Sequence, residues 1–249
     1  MNYGKQFNEF SEQYLKHRPL FPKSLFSWIS DCTTEKNLAW DVGTGNGQAA
    51  IMLTDHFDQI VATDLNLNQI QFAQYHPKII YHCEPAERTH LASNSVNLIT
   101  SACAAHWFDL KSFYTEAKRV LKKQGIISIW TYSWPETSYE PLARILFFIK
   151  DQILSSYWTD QTLLHLNLYR DLYFPFHPLT HPSFKMEKYW SIDDLVNFLS
   201  TWVTIQTYTK NHDKDFLSKQ RDKLIELWPK EEKICFHFPI GLKIGKNHT

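Results

Sequence analysis

Three of the chain's seven glycines fall within five positions, in Asp41-Val42-Gly43-Thr44-Gly45-Asn46-Gly47. Glycine tolerates positive φ and lets a ligand lie directly against the backbone. Seventeen residues past Gly47 stands Asp64, at the end of a second apolar run. In a strand–turn–helix–strand unit, a carboxylate at that place accepts hydrogen bonds from the two hydroxyls of a ribose. The glycine spacing is G-x-G-x-G, whereas a dinucleotide fingerprint needs a glycine where Gln48 stands. Asp41, two residues ahead of the first glycine, would repel a pyrophosphate and suits a ligand with positive charge. The loop therefore reads as a cradle for a cationic nucleoside without phosphate.

The elements that must position these residues follow from the apolar runs. Residues 38–42 read as a buried strand and 46–57 as a helix. Residues 59–63 are a second strand, 66–75 a second helix, and 78–83 a third strand. Residues 95–100 and 124–130 are further strands. Between them lies a helix over 110–123, with Asp109 as its N-cap and Gly125 just past its end. Strands alternating with helices mean βαβ units and right-handed crossovers. The expected fold is α/β: a doubly wound, mostly parallel seven-stranded sheet with helices on both faces, Rossmann-like, with a partly helical, aromatic-rich lid.

After Ser133 the pattern changes. Residues 139–155 look helical, and 156–183 are rich in Tyr, Trp, Phe, His and Pro with no clean period. Ser191 to Asp194 reads as a capping box for a helix reaching Leu199. Residues 210–227 are amphipathic. Residues 233–246 read as a strand pair or one long strand, with Pro239 at a bulge or an edge.

The 249 residues fit a single domain, 1–249, with a covering N-terminal segment at 1–31 and an inserted lid at about 139–183. Hydrophobic residues at 43% exclude a wholly disordered chain. Lys plus Arg and Asp plus Glu are 26 each, and zero net charge argues against a broad nucleic-acid surface. The basic run Lys118, Arg119, Lys122, Lys123 is too small a footprint for RNA. No apolar run reaches membrane-spanning length, so no membrane partner is expected. The N-terminus has no signal-like apolar stretch, and the four cysteines form no CxxC pair, which reads as a reduced, cytoplasmic protein. His165, His177 and His181 have no carboxylate or cysteine at ligand spacing, so no metal is expected.

Four stretches resemble the class I S-adenosylmethionine-dependent methyltransferases, and more narrowly their trans-aconitate methyltransferase-like small-molecule group. These are Trp40 to Gly47, Glu84-Pro85-Ala86-Glu87, Ala104-Ala105-His106-Trp107-Phe108-Asp109, and Tyr14 to Pro22 with its Arg18-Pro19. The likeness runs from about residue 6 to 135, with a weaker echo over 191–208. It implies S-adenosyl-L-methionine as cofactor and a small-molecule methyl acceptor. It places the cofactor against Asp41, Gly43, Thr44, Gly45, Gly47, Asp64, Leu65, Ala86, Glu87 and Ala102. Tyr14 and Arg18 would hold its carboxylate. His106 is the catalytic candidate, as base or orienter, and His106, Trp107 and Trp134 would face the acceptor. Many relatives carry an acid where Pro85 stands and use it to hold adenine, which this chain cannot do.

The acceptor is expected to be a small organic molecule, a carboxylic acid being one form. Two other readings share the frame: a non-catalytic S-adenosylmethionine-binding relative, and an NAD(P)-dependent oxidoreductase, which Gln48 and Asp41 disfavour.

Overall fold

The structure is a computed structural model that describes residues 17–230 and 233–248. The described residues run through α1 (Lys23–Asp31), β1 (Leu38–Val42), α2 (Gln48–Leu53), β2 (Gln59–Asp64), α3 (Leu67–Gln71) and β3 (Ile79–Cys83). Then follow β4 (Val96–Ala102), α4 (Leu110–Val120), β5 (Leu121–Tyr132), α5 (Glu140–Phe148) and α6 (Asp160–Leu166). The remainder is β6 (His177–Pro178), β7 (Glu187–Trp190), α7 (Ile192–Ser200), α8 (Val203–Asn211), α9 (Phe216–Leu227), β8 (Ile234–His237) and β9 (Ile240–Lys246).

The seven-stranded sheet runs β3-β2-β1-β4-β5-β9-β6. Its first five strands are parallel, while β9 is antiparallel to both β5 and β6. This is the doubly wound, mostly parallel sheet expected. The strands run apolar because both faces are covered. Trp40, Val42 and Val61 point into the core shared with Phe113, Ala117 and Val120 of α4. Ala39, Ile60 and Ala62 point the other way, against Leu25, Phe26 and Ile29 of α1 and Ala50 and Leu53 of α2.

The strand order reverses between β1 and β4, and all parallel strands end on the same side there. That switch point is where an open α/β sheet leaves a crevice. A third apolar cluster lies beyond it. It joins Tyr132 and Trp134 to Leu142, Leu146, Trp190, Phe198, Trp202 and Phe238, with the separate β7–β8 ribbon closing it.

Several boundaries differ from the sequence reading. Helix α4 stops at Val120, because Leu121 already pairs with Val96 of β4. The left-handed residue there is Gln124, at φ 63°, rather than Gly125. Asp109 occupies the N-cap position, but its side chain takes a hydrogen bond from Ser112 Oγ at 2.7 Å. Residues 210–227 divide into the end of α8 and the whole of α9. Asp213 turns the chain between them, accepting from the Asp215 amide and from Lys219 Nζ. The segment 156–183 contains α6, whose N-cap Thr159 accepts from the Thr162 amide. The capping box at Ser191 and Asp194 is present, and Pro239 separates β8 from β9.

Candidate functional site

The loop between β1 and α2 carries three residues at positive φ: Gly43 at 65°, Gly45 at 57° and Gly47 at 86°. They are not interchangeable. A Cβ at Gly43 would overlap the Ala104 side chain and crowd Phe108, and one at Gly47 would overlap the Tyr81 hydroxyl. A Cβ at Gly45 meets only Gln69 Oε1, at 3.8 Å, so the space above Gly45 is open. Gly43 and Gly47 let the loop close on its neighbours, and Gly45 leaves room for a guest.

Asp64 ends β2 beside this loop. Its Oδ2 accepts from the Gly45 amide and its Oδ1 from the Asn66 amide, both at 2.8 Å. Burial raises its pKa and the two amides oppose the rise. Each carboxylate oxygen can accept a further hydrogen bond, so the group is preset for a vicinal diol. Asp41 is more enclosed. Its Oδ2 accepts from Thr44 Oγ1 at 2.6 Å and its Oδ1 from Thr100 Oγ1 at 2.7 Å. Burial pushes its pKa up to about 6 against those two hydroxyls. Asp41 thus ties the glycine loop to β4, and its charge lies under the loop.

These residues line a cavity of about 580 Å³. One side holds Asp41, Gly43, Thr44, Gly45 and Asp64; Leu65, Ala86, Glu87 and Ala102 line it too. Leu65 is 74% exposed, a large apolar side chain held at the lip. The chain at Arg18, Pro19, Leu20 and Phe21 crosses the mouth, and Cys103, His106, Trp107 and Tyr132 form the far end.

At that far end the chemistry changes from backbone to side chains. Arg18 donates from Nη1 to Tyr132 Oη at 2.7 Å and from Nη2 to the Thr201 carbonyl at 3.2 Å. Its guanidinium lies 5.0–5.8 Å from the ring centres of Trp202, Phe198 and Tyr132, within cation–π range. His106, in the short helical turn Ala105–Trp107 after β4, bonds through Nδ1 to Tyr169 Oη at 2.7 Å. Burial lowers its pKa to about 3, and the Arg18 charge adds to the effect. His165 lies 5.1 Å away, ring to ring, with its Nδ1 2.6 Å from Thr131 Oγ1. Burial likewise keeps His165 well below the usual histidine range.

Most residues expected at a site from the sequence thus surround one cavity. Two of the described ones do not line it. Gly47 sits at the start of α2, filled from behind by Tyr81. Trp134 is buried behind the wall, 5.1 Å from the Trp202 ring and 6.0 Å from the Trp158 ring; its indole is drawn into the aromatic cluster, so it backs the cavity and does not face it. Tyr14 lies outside the described residues. Tyr169, His165 and Thr131 were not foreseen, since the first two sit in the aperiodic 156–183 segment and nothing in sequence ties them to His106. Two groups of metal-ligating side chains also come together: His82, Glu84 and His90, and Glu187, Cys235 and His237. Their members are up to 50 residues apart in sequence, so spacing could not reveal the second.

The methyltransferase domain family profile matches residues 40–129, from β1 into β5. A Dictyostelium discoideum protein described as a candidate methyltransferase is 29% identical over 98% of this chain and 95% of its own. A Saccharomyces cerevisiae protein described as a candidate S-adenosylmethionine-dependent methyltransferase is 27% identical over 55% of this chain and 50% of its own. A solved structure from Anaeromyxobacter dehalogenans, described as a candidate type II methyltransferase, superposes with a TM-score of 0.84 at 30% identity. That superposition covers 92% of this chain and 97% of the other.

Proposed function

The chain belongs to the class I S-adenosylmethionine-dependent methyltransferases, and on that premise we propose that it methylates a small organic acceptor. The enzyme class and the cofactor are those of the family; the acceptor and the residue roles are our reading.

The residues present fit S-adenosyl-L-methionine. Asp64 keeps acceptor capacity on both oxygens for the ribose. The open face of Gly45 leaves room beside the backbone. Leu65, Pro85 and Ala86 offer apolar surface for the adenine, with no acid at Pro85. The negative charge of Asp41 beneath Gly43 and Thr44 suits a ligand with an ammonium and a sulfonium and is poorly matched to a pyrophosphate. Arg18 would meet the cofactor carboxylate with a guanidinium, and Tyr14 would share that contact. When bound, the cofactor supplies an activated methyl group on a positively charged sulfur.

The observation that carries the small-acceptor reading is the cavity itself. Its volume of about 580 Å³ lies within the range of small-ligand sites, ~300–1,000 Å³. The chain at Arg18 to Phe21 crosses its mouth, and Cys103, His106, Trp107 and Tyr132 form its far end, which suits an acceptor small enough to pass inside. The protein's part is to align the acceptor with the methyl group, at roughly 3 Å, and to exclude water. An acceptor carboxylate, with a pKa near ~4, is ionised at neutral pH and needs no base. An alcohol or amine needs one. Trp107 and His106, on the cavity wall, would contact the acceptor. The covering layer comprises the N-terminal segment and the lid at about 139–183, extended by the packing partners contributed from 187–238. A cytoplasmic location and the likeness to the trans-aconitate methyltransferase-like group belong to the same proposal.

Calorimetry against S-adenosylhomocysteine and NAD tests the cofactor assignment, and a methyl-release screen over small acids, phenols and amines tests the acceptor. Binding of NAD alone would sink the reading. Faster methylation of tRNA or a polypeptide than of every small molecule tried would overturn the acceptor class.

A further inference from the structure

Helix α6 ends in a way that is costly unless something needs it. The Tyr169 amide bonds back to the Leu164 carbonyl and the Leu168 amide to the His165 carbonyl. That is a Schellman closure, in which the residue after the cap turns left-handed and is usually glycine. Here it is Leu168 at φ 58°, and Tyr169 follows at φ 57°. Two successive non-glycine residues in this region store strain, and such strain persists only where surrounding structure enforces it. The enforcing contact is visible in β9. A Cβ at Gly241 would overlap the Leu168 carbonyl and side chain, so the missing Cβ is the socket into which Leu168 fits. The result is a wholly buried Tyr169 whose hydroxyl reaches His106 Nδ1 at 2.7 Å.

The donor in that bond can be assigned. A buried phenol must place its hydrogen somewhere. His106 is the one group that bonds to Tyr169 Oη by distance and angle among the described residues. The Thr131 hydroxyl is also nearby and retains lone pairs beside its 2.6 Å contact with His165 Nδ1, but its placement relative to Tyr169 Oη does not meet hydrogen-bond distance and angle, as that of His106 Nδ1 does. If His106 donated through Nδ1, the phenol hydrogen would be left without a well-placed acceptor. A neutral imidazole carries one hydrogen, and the bond at one nitrogen decides which nitrogen bears it. The groups facing His106 keep it neutral: the Arg18 cation, a neutral His165, the protonated Tyr169 and the Trp107 ring, which lies 4.8 Å away.

We propose that Tyr169 donates to Nδ1 of His106, so that Nε2 carries the hydrogen toward the cavity and His106 serves as a hydrogen-bond donor to an acceptor that arrives ionised, a carboxylate. The proposal rests on reading the cavity as a methyl-transfer chamber. An imidazole held this way has no free lone pair with which to take a proton from an alcohol or an amine. With a carboxylate acceptor none needs to move. The acceptor oxygen forms its bond to the methyl carbon as the carbon–sulfur bond breaks. The electron pair of that bond stays on sulfur, and the products are a methyl ester and a neutral thioether. Tyr169 is a positioning residue, and His106 Nε2–H is the group that would touch the acceptor oxygen.

The full chain, labelled with ¹⁵N-histidine, gives the direct test. Long-range ¹H–¹⁵N spectra between about pH 6 and 8 distinguish the two neutral tautomers and the imidazolium, and His106→Gln identifies the signals of interest. The expected result is a neutral His106 with hydrogen on Nε2 throughout. In Tyr169→Phe the hydrogen-bonded Nδ1 signal should shift and the other tautomer should become populated. Hydrogen on Nδ1 in the unmodified protein, or an imidazolium at pH 6, would overturn the proposal whatever Tyr169→Phe shows. A tautomer unchanged by Tyr169→Phe would overturn the role of Tyr169. In parallel, phenylacetate should be methylated more than tenfold faster than 2-phenylethanol or phenethylamine, and its rate should show no limb near ~6.5. A preference for the alcohol or the amine, with such a limb, would overturn the acceptor class. Failure to bind S-adenosylhomocysteine alongside an Nε2–H His106 would count against the methyltransferase site itself and leave the tautomer assignment standing.

Discussion

The two ends of the cavity are built by different means. At the glycine-loop end, most contacts join residues near in sequence: Thr44 to Asp41, Asn66 to Asp64, and Gly45 to an Asp64 only 19 residues away, with Thr100 to Asp41, 59 residues apart, as the exception. Two of the four donors there are the backbone amides of Gly45 and Asn66, and two are threonine hydroxyls. At the His106 end, the contacts span 63 residues from His106 to Tyr169, 114 from Arg18 to Tyr132, and 183 from Arg18 to Thr201. There the donors and acceptors are mostly side chains, set among aromatic rings. The first end is mainly a local strand–turn–helix motif, tied to β4 through Thr100. The second exists only when the N-terminal segment, β5, α6 and α7 have all been brought together.

Substitutions can break that contrast at either end. The largest effect is expected from Gly43→Val. The new side chain meets Ala104 and Phe108 at a φ of 65°, so the loop must move, and S-adenosylhomocysteine affinity should fall more than a hundredfold. An affinity within tenfold of the parent would mean that the loop is not the rigid part. Asp64→Ala should come next, costing about tenfold to a hundredfold in the same titration, since a charged acceptor contributes ~1.5–3 kcal/mol per hydrogen bond. The fold should remain intact by circular dichroism, and an unchanged affinity would remove the ribose role.

The His106 end should show itself in pH dependence. Burial, with the Arg18 charge, lowers the His106 pKa from the ordinary 6.5 to about 3, so below about pH 6.5 the unfolded chain binds a proton that the native chain does not. Stability from this group is therefore complete above about 6.5 and declines as pH falls toward 3. His165 acts in the same direction. His106→Gln should flatten the slope of unfolding free energy between about pH 4 and 6.5, as measured by urea titration. An equal slope in both proteins would contradict the burial of the imidazole. The smallest effect belongs to Leu65→Ala at the lip, where a mostly exposed side chain should cost less than about tenfold in cofactor affinity. A larger loss would place the adenine more deeply on Leu65 than on Ala86.

The same contrast decides what could be read from sequence. Gly43 to Gly47 and Asp64 were legible because their spacing is itself the geometry: a strand end, a turn and the next strand end. The sheet was legible for a related reason, since apolar runs between helix-like stretches leave few topologies. Tyr169 and His165 were not legible. Their segment has no period, their partners are in the turn after β4 and on β5, and the turn that aims Tyr169 uses a leucine where the sequence rule expects glycine. The glycine that makes the turn feasible, Gly241, lies about 70 residues further on. Arg18 was expected on the cofactor, and its position among Tyr132, Phe198 and Trp202 depends on long-range packing that no local signal encodes. Trp134 was expected on the cavity because aromatic composition cannot separate a wall from the layer behind it.

The place of β9 in the sheet has a consequence for how the protein is made. Residues 240–246 lie between β5 and β6 and pair along β5 from Ile126 to Tyr132. When β1 to β5 have emerged from the ribosome, more than a hundred residues must still be added before β5 gains its outer neighbour. Until then β5 is an open edge carrying Ile126, Ile127, Ile129 and Trp130, the kind of strand that recruits other chains. A nascent chain halted before residue 240 should therefore be sticky rather than merely inactive, and holding it apart from its copies becomes the cell's task for that interval.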